Sequence, residues 1–233
     1  MFTTGYNKLI SIGSGISLAG FLLSGLVGFV IVQWTNPQPP WVSAAVFSAD
    51  YHVVQDLPYY FGFLLIGGMI MLAAGHYLNY SGDNRQTKFH LLVALCWTII
   101  FASLIFFNYI CQTTFVRHLA MDYKPEYDGF IATFSMANPM SLSWSIEMWG
   151  YGYLGVANWL MSSYYLNRND LIRGLLITNG VMSLAGVGLT IVDIQWVLTG
   201  VGLIAYTIWN LLMIIILMLI WRFNNREDQR MAA

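Results

Sequence analysis

The chain has 233 residues, of which 58% are hydrophobic and 9% are charged. An average soluble domain has roughly a quarter of its residues charged, and so few charges cannot cover the surface of a water-soluble protein of this length. The composition therefore predicts an integral membrane protein. A net charge of −1, with no cluster of Lys and Arg, argues against a nucleic-acid partner and leaves the lipid bilayer as the expected surroundings.

Six apolar segments along the chain reach the length of about 20 residues that a helix needs to cross the hydrocarbon core. In chain order, these segments cover approximately residues 9–33, 58–80, 90–115, 140–165, 173–194 and 197–221. The prolines fall in or at the edges of the connecting segments, so continuous helices are expected. The sequence predicts an all-α, six-transmembrane-helix bundle that forms one domain over residues 1–233.

Basic residues are distributed unevenly among the connecting segments, and they are retained on the cytoplasmic side of a membrane. With the N-terminus inside, the cytoplasmic segments hold Lys8, Arg85, Lys88, Arg168, Arg173, Arg222, Arg226 and Arg230. The outer segments hold Arg117 and Lys124. This asymmetry predicts a multi-pass protein of the cell membrane with both termini in the cytoplasm and two long outer loops.

Glu147 is the one acidic residue placed well inside a predicted span, and a carboxylate there indicates a functional site. Asn138 and Pro139 suit the start of its helix, and helical spacing puts Tyr151 and Asn158 on the same face. Neighbouring spans offer polar side chains to this face, and Arg117 is a candidate ion-pair partner. The predicted site comprises Glu147, Arg117, Tyr151, Asn158, Asn108, Gln112, Asn179, Tyr206 and Asn210.

The same polar side chains have a second interpretation, as hydrogen bonds that hold helices together where lipid offers no partner. The small residues Gly20, Ser24 and Gly28 recur every four positions in the first span and predict close packing against another helix. That helix belongs either to the same chain, which we favour, or to a partner subunit.

Two pairs with the spacing His-x-x-x-Asp lie in or beside the outer loops: His52 with Asp56, and His118 with Asp122. On helical turns each pair would share a face, and the four side chains together could form a zinc-type shell.

Haem and retinal are not expected. Interface positions explain the histidines more simply than haem ligation does, and no lysine falls within a span to form a Schiff base.

The segment from Asn138 to Gly152 (NPMSLSWSIEMWGYG), with Phe115-Val116-Arg117 before it and Thr178-Asn179-Gly180 after it, resembles small multi-spanning bacterial inner-membrane proteins of unknown function. The resemblance covers roughly residues 100–200. It implies a bacterial inner-membrane protein and no particular activity.

Three functions fit these observations. The first is binding or translocation of a small ligand, which could be a small cation, a proton-coupled solute or a lipid-like molecule, through an outward-facing polar cavity lined by Glu147. The second is a structural or accessory subunit that docks a partner through Gly20, Ser24 and Gly28. The third is a membrane enzyme with an outer His/Asp metal site. The sequence has no phosphate-binding loop, HExxH zinc helix or GxSxG nucleophile elbow, which counts against an enzyme.

Overall fold

The computed structural model describes the backbone of residues 3–232 and the side chains of residues 7–226. Within this range the chain is helical and contains no strand, which confirms the predicted all-α class. The α-helices are α1 Thr3–Leu22, α2 Phe29–Thr35, α3 Ala44–Ala49, α4 Leu57–Asn79, α5 Arg85–Ile110, α6 Arg117–Met121, α7 Asp128–Phe134, α8 Leu142–Met161, α9 Asp170–Val192 and α10 Gly200–Ala232.

Two of the long helices contain a π-helical stretch, in which each turn takes up more residues than in an α-helix. Leu23–Gly28 joins α1 to α2, and Cys111–Val116 joins α5 to α6. Each of these pairs therefore forms one continuous rod. A helix occupies each of the six apolar segments predicted from the sequence.

Within the described residues, five of these helical rods are long and apolar enough to cross a membrane. The exception is α8, which has 20 residues but contains Glu147 and Asn158 together with many Trp, Tyr, Ser and Gly residues.

The first residue of α8 also differs from the prediction, which placed the start of this helix at Asn138 and Pro139. The helix begins at Leu142, because the Ser141 hydroxyl accepts a hydrogen bond from the Trp144 amide and caps the first turn.

The six long helices pack in a closed ring. Each one contacts the next along the chain, in the order α1, α4, α5, α8, α9 and α10, and α10 returns to contact α1. Successive helices run antiparallel, and the connections between them lie alternately at the two ends of the ring. One end of the ring carries the short connections at 80–84 and 166–169, and the other carries 36–56, 122–141 and 193–199. We call the second the long-loop end.

The small residues of the first span face α4 of the same chain. A side chain at Gly20 would overlap the backbone of Leu65, and one at Gly28 would lie 3.3 Å from Pro58. Gly68 on α4 lies in turn against Ser17. Two helix backbones approach closely here because neither has a side chain in the way. Gly20 and Gly28 are therefore covered within the chain and are not open to a partner subunit, whereas Ser24 lies at the wall of an internal cavity.

The half of the ring farther from the long-loop end is filled by apolar side chains from all six helices, including Ile10, Met69, Leu91, Leu154 and Ile216. His76 is fully buried in this half. Its Nδ1 lies 2.7 Å from the Leu72 carbonyl oxygen and its Nε2 lies 2.8 Å from the Tyr165 hydroxyl. At the opposite end, α3, α6 and α7 form a small separate apolar cluster around Phe47, Val116 and Ile131.

Candidate functional site

A cavity of about 410 Å³ lies inside the ring at the long-loop end. Each of the six long helices contributes to its wall. Representative lining residues, one from each helix in chain order, are Phe21, Tyr59, Tyr109, Glu147, Ser183 and Tyr206. This volume falls within the range of about 300–1,000 Å³ that is typical of small-molecule sites.

Glu147 lies in the cavity wall, on the second turn of α8, with 7% of its surface exposed. Its carboxylate accepts two hydrogen bonds from α5. The Asn108 amide donates to Oε2 at 2.8 Å, and the Tyr109 hydroxyl donates to Oε1 at 2.9 Å. The contact with Asn108 agrees with the predicted site, whereas the contact with Tyr109 was not foreseen. Both carboxylate oxygens are thus held in a fixed position at the wall.

The orientation of the Asn108 amide is set by its surroundings. Its Nδ2 lies 3.1 Å from the Ser143 carbonyl oxygen and 3.2 Å from the Met136 sulfur, in addition to Glu147. All three atoms act here as acceptors, so the nitrogen must face them. The Asn108 side chain is fully buried. It therefore links α5 to α8 and to the connection before α8 at a single point.

Gln112 does not contact Glu147. Its Nε2 donates to the Phe134 carbonyl at 2.7 Å, and its Oε1 accepts from the Met136 amide at 2.9 Å. The Ser143 hydroxyl donates to the same Phe134 carbonyl. These bonds hold the connection between α7 and α8 against α5, and they place Met136 at the cavity wall. Gln112 therefore positions the wall.

The predicted residues Tyr151, Tyr206 and Asn210 all line the cavity. The Tyr151 hydroxyl lies 3.4 Å from that of Tyr109, which extends the polar group around Glu147 by one residue. Asn210 donates to the Tyr206 backbone carbonyl at 2.6 Å, within its own helix. The cavity thus has a polar cluster on α5 and α8, and a second polar position on α10.

Asn158 and Asn179 do not line this cavity. Asn158 Nδ2 donates to Asn179 Oδ1 at 2.7 Å, and both side chains are almost completely buried between α8 and α9. These two residues were predicted as part of the cavity, and the structure instead gives them the role of helix-to-helix hydrogen bonding. The reason is geometric: they lie below the cavity, in the packed half of the ring.

Arg117 pairs with Asp56 and does not reach Glu147. Its guanidinium lies 3.9 Å from Asp56 Oδ2 and donates to the Tyr60 hydroxyl at 3.2 Å. Asp56 also accepts a 2.7 Å hydrogen bond from Tyr51. Burial, followed by the hydrogen bond to Asp56, raises the pKa of Tyr51 above its usual range, so this hydroxyl stays protonated and can donate.

Three of the four residues predicted as metal ligands have other partners. His52 Nδ1 accepts from the Val54 amide at 3.2 Å and caps a short helical turn. Asp56 is held by Tyr51 and Arg117, as described above, and Asp122 lies 3.7 Å from Lys124. Among the described residues no group of three or more His, Cys, Asp and Glu side chains is arranged to hold a metal ion. The structure therefore does not bring His52, Asp56, His118 and Asp122 into one coordination shell.

The aromatic character of the cavity was missed in the sequence. Its lining rings are Phe21, Phe29, Tyr59, Tyr109, Trp144, Tyr151, Trp196, Tyr206 and Trp209. The chain as a whole is 16% aromatic, so single rings carried no signal. The position of these residues could have indicated an aromatic cavity, since most of them lie in the outer halves of the predicted spans.

An all-helical chain with several helices long and apolar enough to cross a membrane has the architecture of a helical membrane protein. Comparison with protein-family models, with curated proteins and with solved structures gives no match. Function is therefore inferred from the cavity itself.

Proposed function

We propose that the protein is a membrane-embedded binding protein. Its cavity opens toward the non-cytoplasmic side of the cell membrane and holds a small, largely apolar ligand, and Glu147 is the polar anchor of that ligand. In this proposal six helices cross the membrane, and both termini are cytoplasmic.

The sixth crossing in this proposal is α8. Its polar side chains Glu147 and Asn158 are hydrogen-bonded to α5 and α9, so the helix can lie in a bilayer despite its low hydropathy. Its position between α5 and α9 in the ring supports the same conclusion. The orientation is supported by the excess of Lys and Arg in the segments assigned to the cytoplasm.

The observation that carries the binding function is a buried carboxylate in the wall of a preformed, mostly apolar cavity. Such a cavity, with a few polar groups that converge at one point, is the usual form of a small-molecule site. A carboxylate within a membrane bundle is costly to keep and therefore indicates function. Glu147, Tyr109 and Tyr151 form that convergent polar group here.

The packed half of the ring supports binding over open conduction. Below the cavity, side chains such as Ile66, Met69 and Leu72 are 1% exposed or less. A translocation cycle would require this half to separate. No continuous path through this half is needed for a ligand to occupy the cavity.

Native mass spectrometry of the protein in mild detergent, compared with a cavity-filling variant, tests this proposal. Gly25 lines the cavity, and a side chain there would meet nothing within 4 Å, so Gly25→Phe should fill space without disturbing the helix. Gly188→Phe is the matched control, because a side chain there also meets nothing within 4 Å and Gly188 does not line the cavity. We expect a bound small molecule on the wild type and on Gly188→Phe, and none on Gly25→Phe. Equal retention by both variants would contradict the proposal.

A further inference from the structure

We propose that the ligand of this cavity is a lipophilic organic cation, in which an ammonium or similar group on an apolar body lies between the Glu147 carboxylate and the surrounding rings. This inference rests on the proposed function, since it names the chemical class of the ligand that the cavity would hold.

The first argument is charge. Among the described residues that line the cavity, Glu147 is the only charged one, and no Lys, Arg or His is among them. Arg117, which the sequence offered as an ion-pair partner for Glu147, contacts Asp56 and Tyr60 instead. Two neutral donors, Asn108 and Tyr109, contact the carboxylate. A carboxylate in an apolar site without a counter-ion is unfavourable, and a cationic ligand would supply the missing charge, whereas an anionic ligand would be repelled.

The second argument is the kind of wall that surrounds the carboxylate. Electron-rich ring faces attract cations, and Trp and Tyr do so most strongly. Tyr59 lies 5.3 Å from Tyr109, and Tyr151 lies 5.3 Å from Trp209, measured between ring centroids. Since all four of these residues line the cavity, a cation that reaches Glu147 is enclosed by rings.

The third argument separates an organic cation from a metal ion. Ca²⁺ takes 6–8 oxygen ligands, and the described residues contain no group of three or more metal-binding side chains. The wall is instead dominated by aromatic and aliphatic groups, with three methionines, Met136, Met148 and Met182. This surface suits a weakly hydrated cation with an apolar body better than a strongly hydrated ion.

A pair of probes of nearly equal shape isolates the effect of charge. The cationic probe is (4-hydroxyphenyl)trimethylammonium, and its neutral carbon isostere is 4-tert-butylphenol. Binding of each to the full-length protein in lipid nanodiscs is measured by titration calorimetry, with empty nanodiscs subtracted. We expect the cation to bind about tenfold or more tightly than its isostere, because cation–π attraction and the carboxylate act on the charged probe alone.

Two sets of variants locate the source of this preference. Glu147→Gln should abolish it, whereas Glu126→Gln, which removes a charge from an exposed loop at the same end, should leave it unchanged. Tyr206 lines the cavity and is 51% exposed, so its substitution does not open the core. Tyr206→Phe keeps the ring and should keep the preference, whereas Tyr206→Leu should reduce it.

The outcomes distinguish this inference from the proposed function. Equal affinity for both probes, lost in Gly25→Phe, would overturn the cation inference and leave the cavity as a binding site. Failure of both probes to bind the wild type would count against the inference and the proposed function together. A cation preference that persists in Glu147→Gln would also overturn the inference.

Discussion

The hydroxyl of Tyr109 donates a 2.9 Å hydrogen bond to Oε1 of Glu147 and joins the last turn of α5 to the second turn of α8. The bond lies at the cavity wall and links two neighbouring helices of the ring. It therefore contributes to the position of the carboxylate as well as to the packing of the helices.

We expect Tyr109→Phe to lower the free energy of unfolding by about 1 kcal/mol, the typical value for a hydrogen bond between membrane helices. The substitution removes one oxygen and keeps the ring. Unfolding in a titration with a denaturing detergent measures the change. Tyr153→Phe is the control, because the Tyr153 ring stacks on Trp97 and its hydroxyl has no hydrogen-bond partner among the described residues. Equal losses of unfolding free energy in the two variants would show that the hydrogen bond from Tyr109 to Glu147 does not stabilise the protein.

Arg117 should couple energetically to Asp56 and not to Glu147. A double-mutant cycle with Arg117→Ala and Asp56→Ala should give a coupling of about 0.5 kcal/mol, since the pair is 3.9 Å apart and Arg117 is partly exposed. The cycle of Arg117→Ala with Glu147→Gln should be additive. Coupling to Glu147, with none to Asp56, would contradict the arrangement seen here.

The close approach of α1 and α4 depends on the absence of a side chain at Gly20. We expect Gly20→Ala to destabilise the protein by about 2 kcal/mol, because the added carbon would overlap the backbone of Leu65, which cannot move aside as a flexible side chain can. Thermal unfolding in detergent measures this loss.

The matched control for Gly20→Ala is Gly67→Ala in α4. A side chain at Gly67 meets nothing within 4 Å, and alanine favours a helix over glycine by up to about 1 kcal/mol. The control should therefore be neutral or slightly stabilising. A similar loss at both positions would indicate that helix flexibility, and not close packing, is what the glycines provide.

The proposed orientation predicts which loops react with a membrane-impermeant maleimide in intact cells. In a background that lacks Cys96 and Cys111, Asp50→Cys should be labelled from outside, and Asp83→Cys only after permeabilisation. Both aspartates are exposed in connections of the ring, at its opposite ends. The reverse pattern would invert the topology, and labelling of both sites from outside would contradict the number of crossings.

Hydropathy and helical periodicity, which are local properties of the sequence, predicted the helices well. Each apolar segment of about 20 residues became a helix, and the close helix contact expected from the small residues of the first span is present at Gly20 and Gly28. The contact between Asn108 and Glu147 was also foreseen, because both lie near the same ends of spans that are adjacent along the chain. These two helices are neighbours in the ring, so their facing polar side chains can meet.

Which side chains of neighbouring spans contact each other was decided only by the tertiary structure. Arg117 follows the π-helical stretch Cys111–Val116, which adds residues to a turn and rotates the following side chains around the helix axis relative to Tyr109. No Gly or Pro marks this stretch in the sequence. Arg117 consequently contacts Asp56 on the neighbouring connection, and Glu147 is left with neutral donors.

The sequence by itself thus determined the class of the protein and the location of its buried carboxylate, because burial in lipid restricts composition and periodicity at every position of a span. Only the tertiary structure decided that Glu147 lies in the wall of a cavity lined by aromatic side chains. The same holds for the hydrogen bond between Asn158 and Asn179. The rotation and depth of each helix in the ring set these contacts. Those quantities depend on how all six helices pack together, and no single segment encodes them.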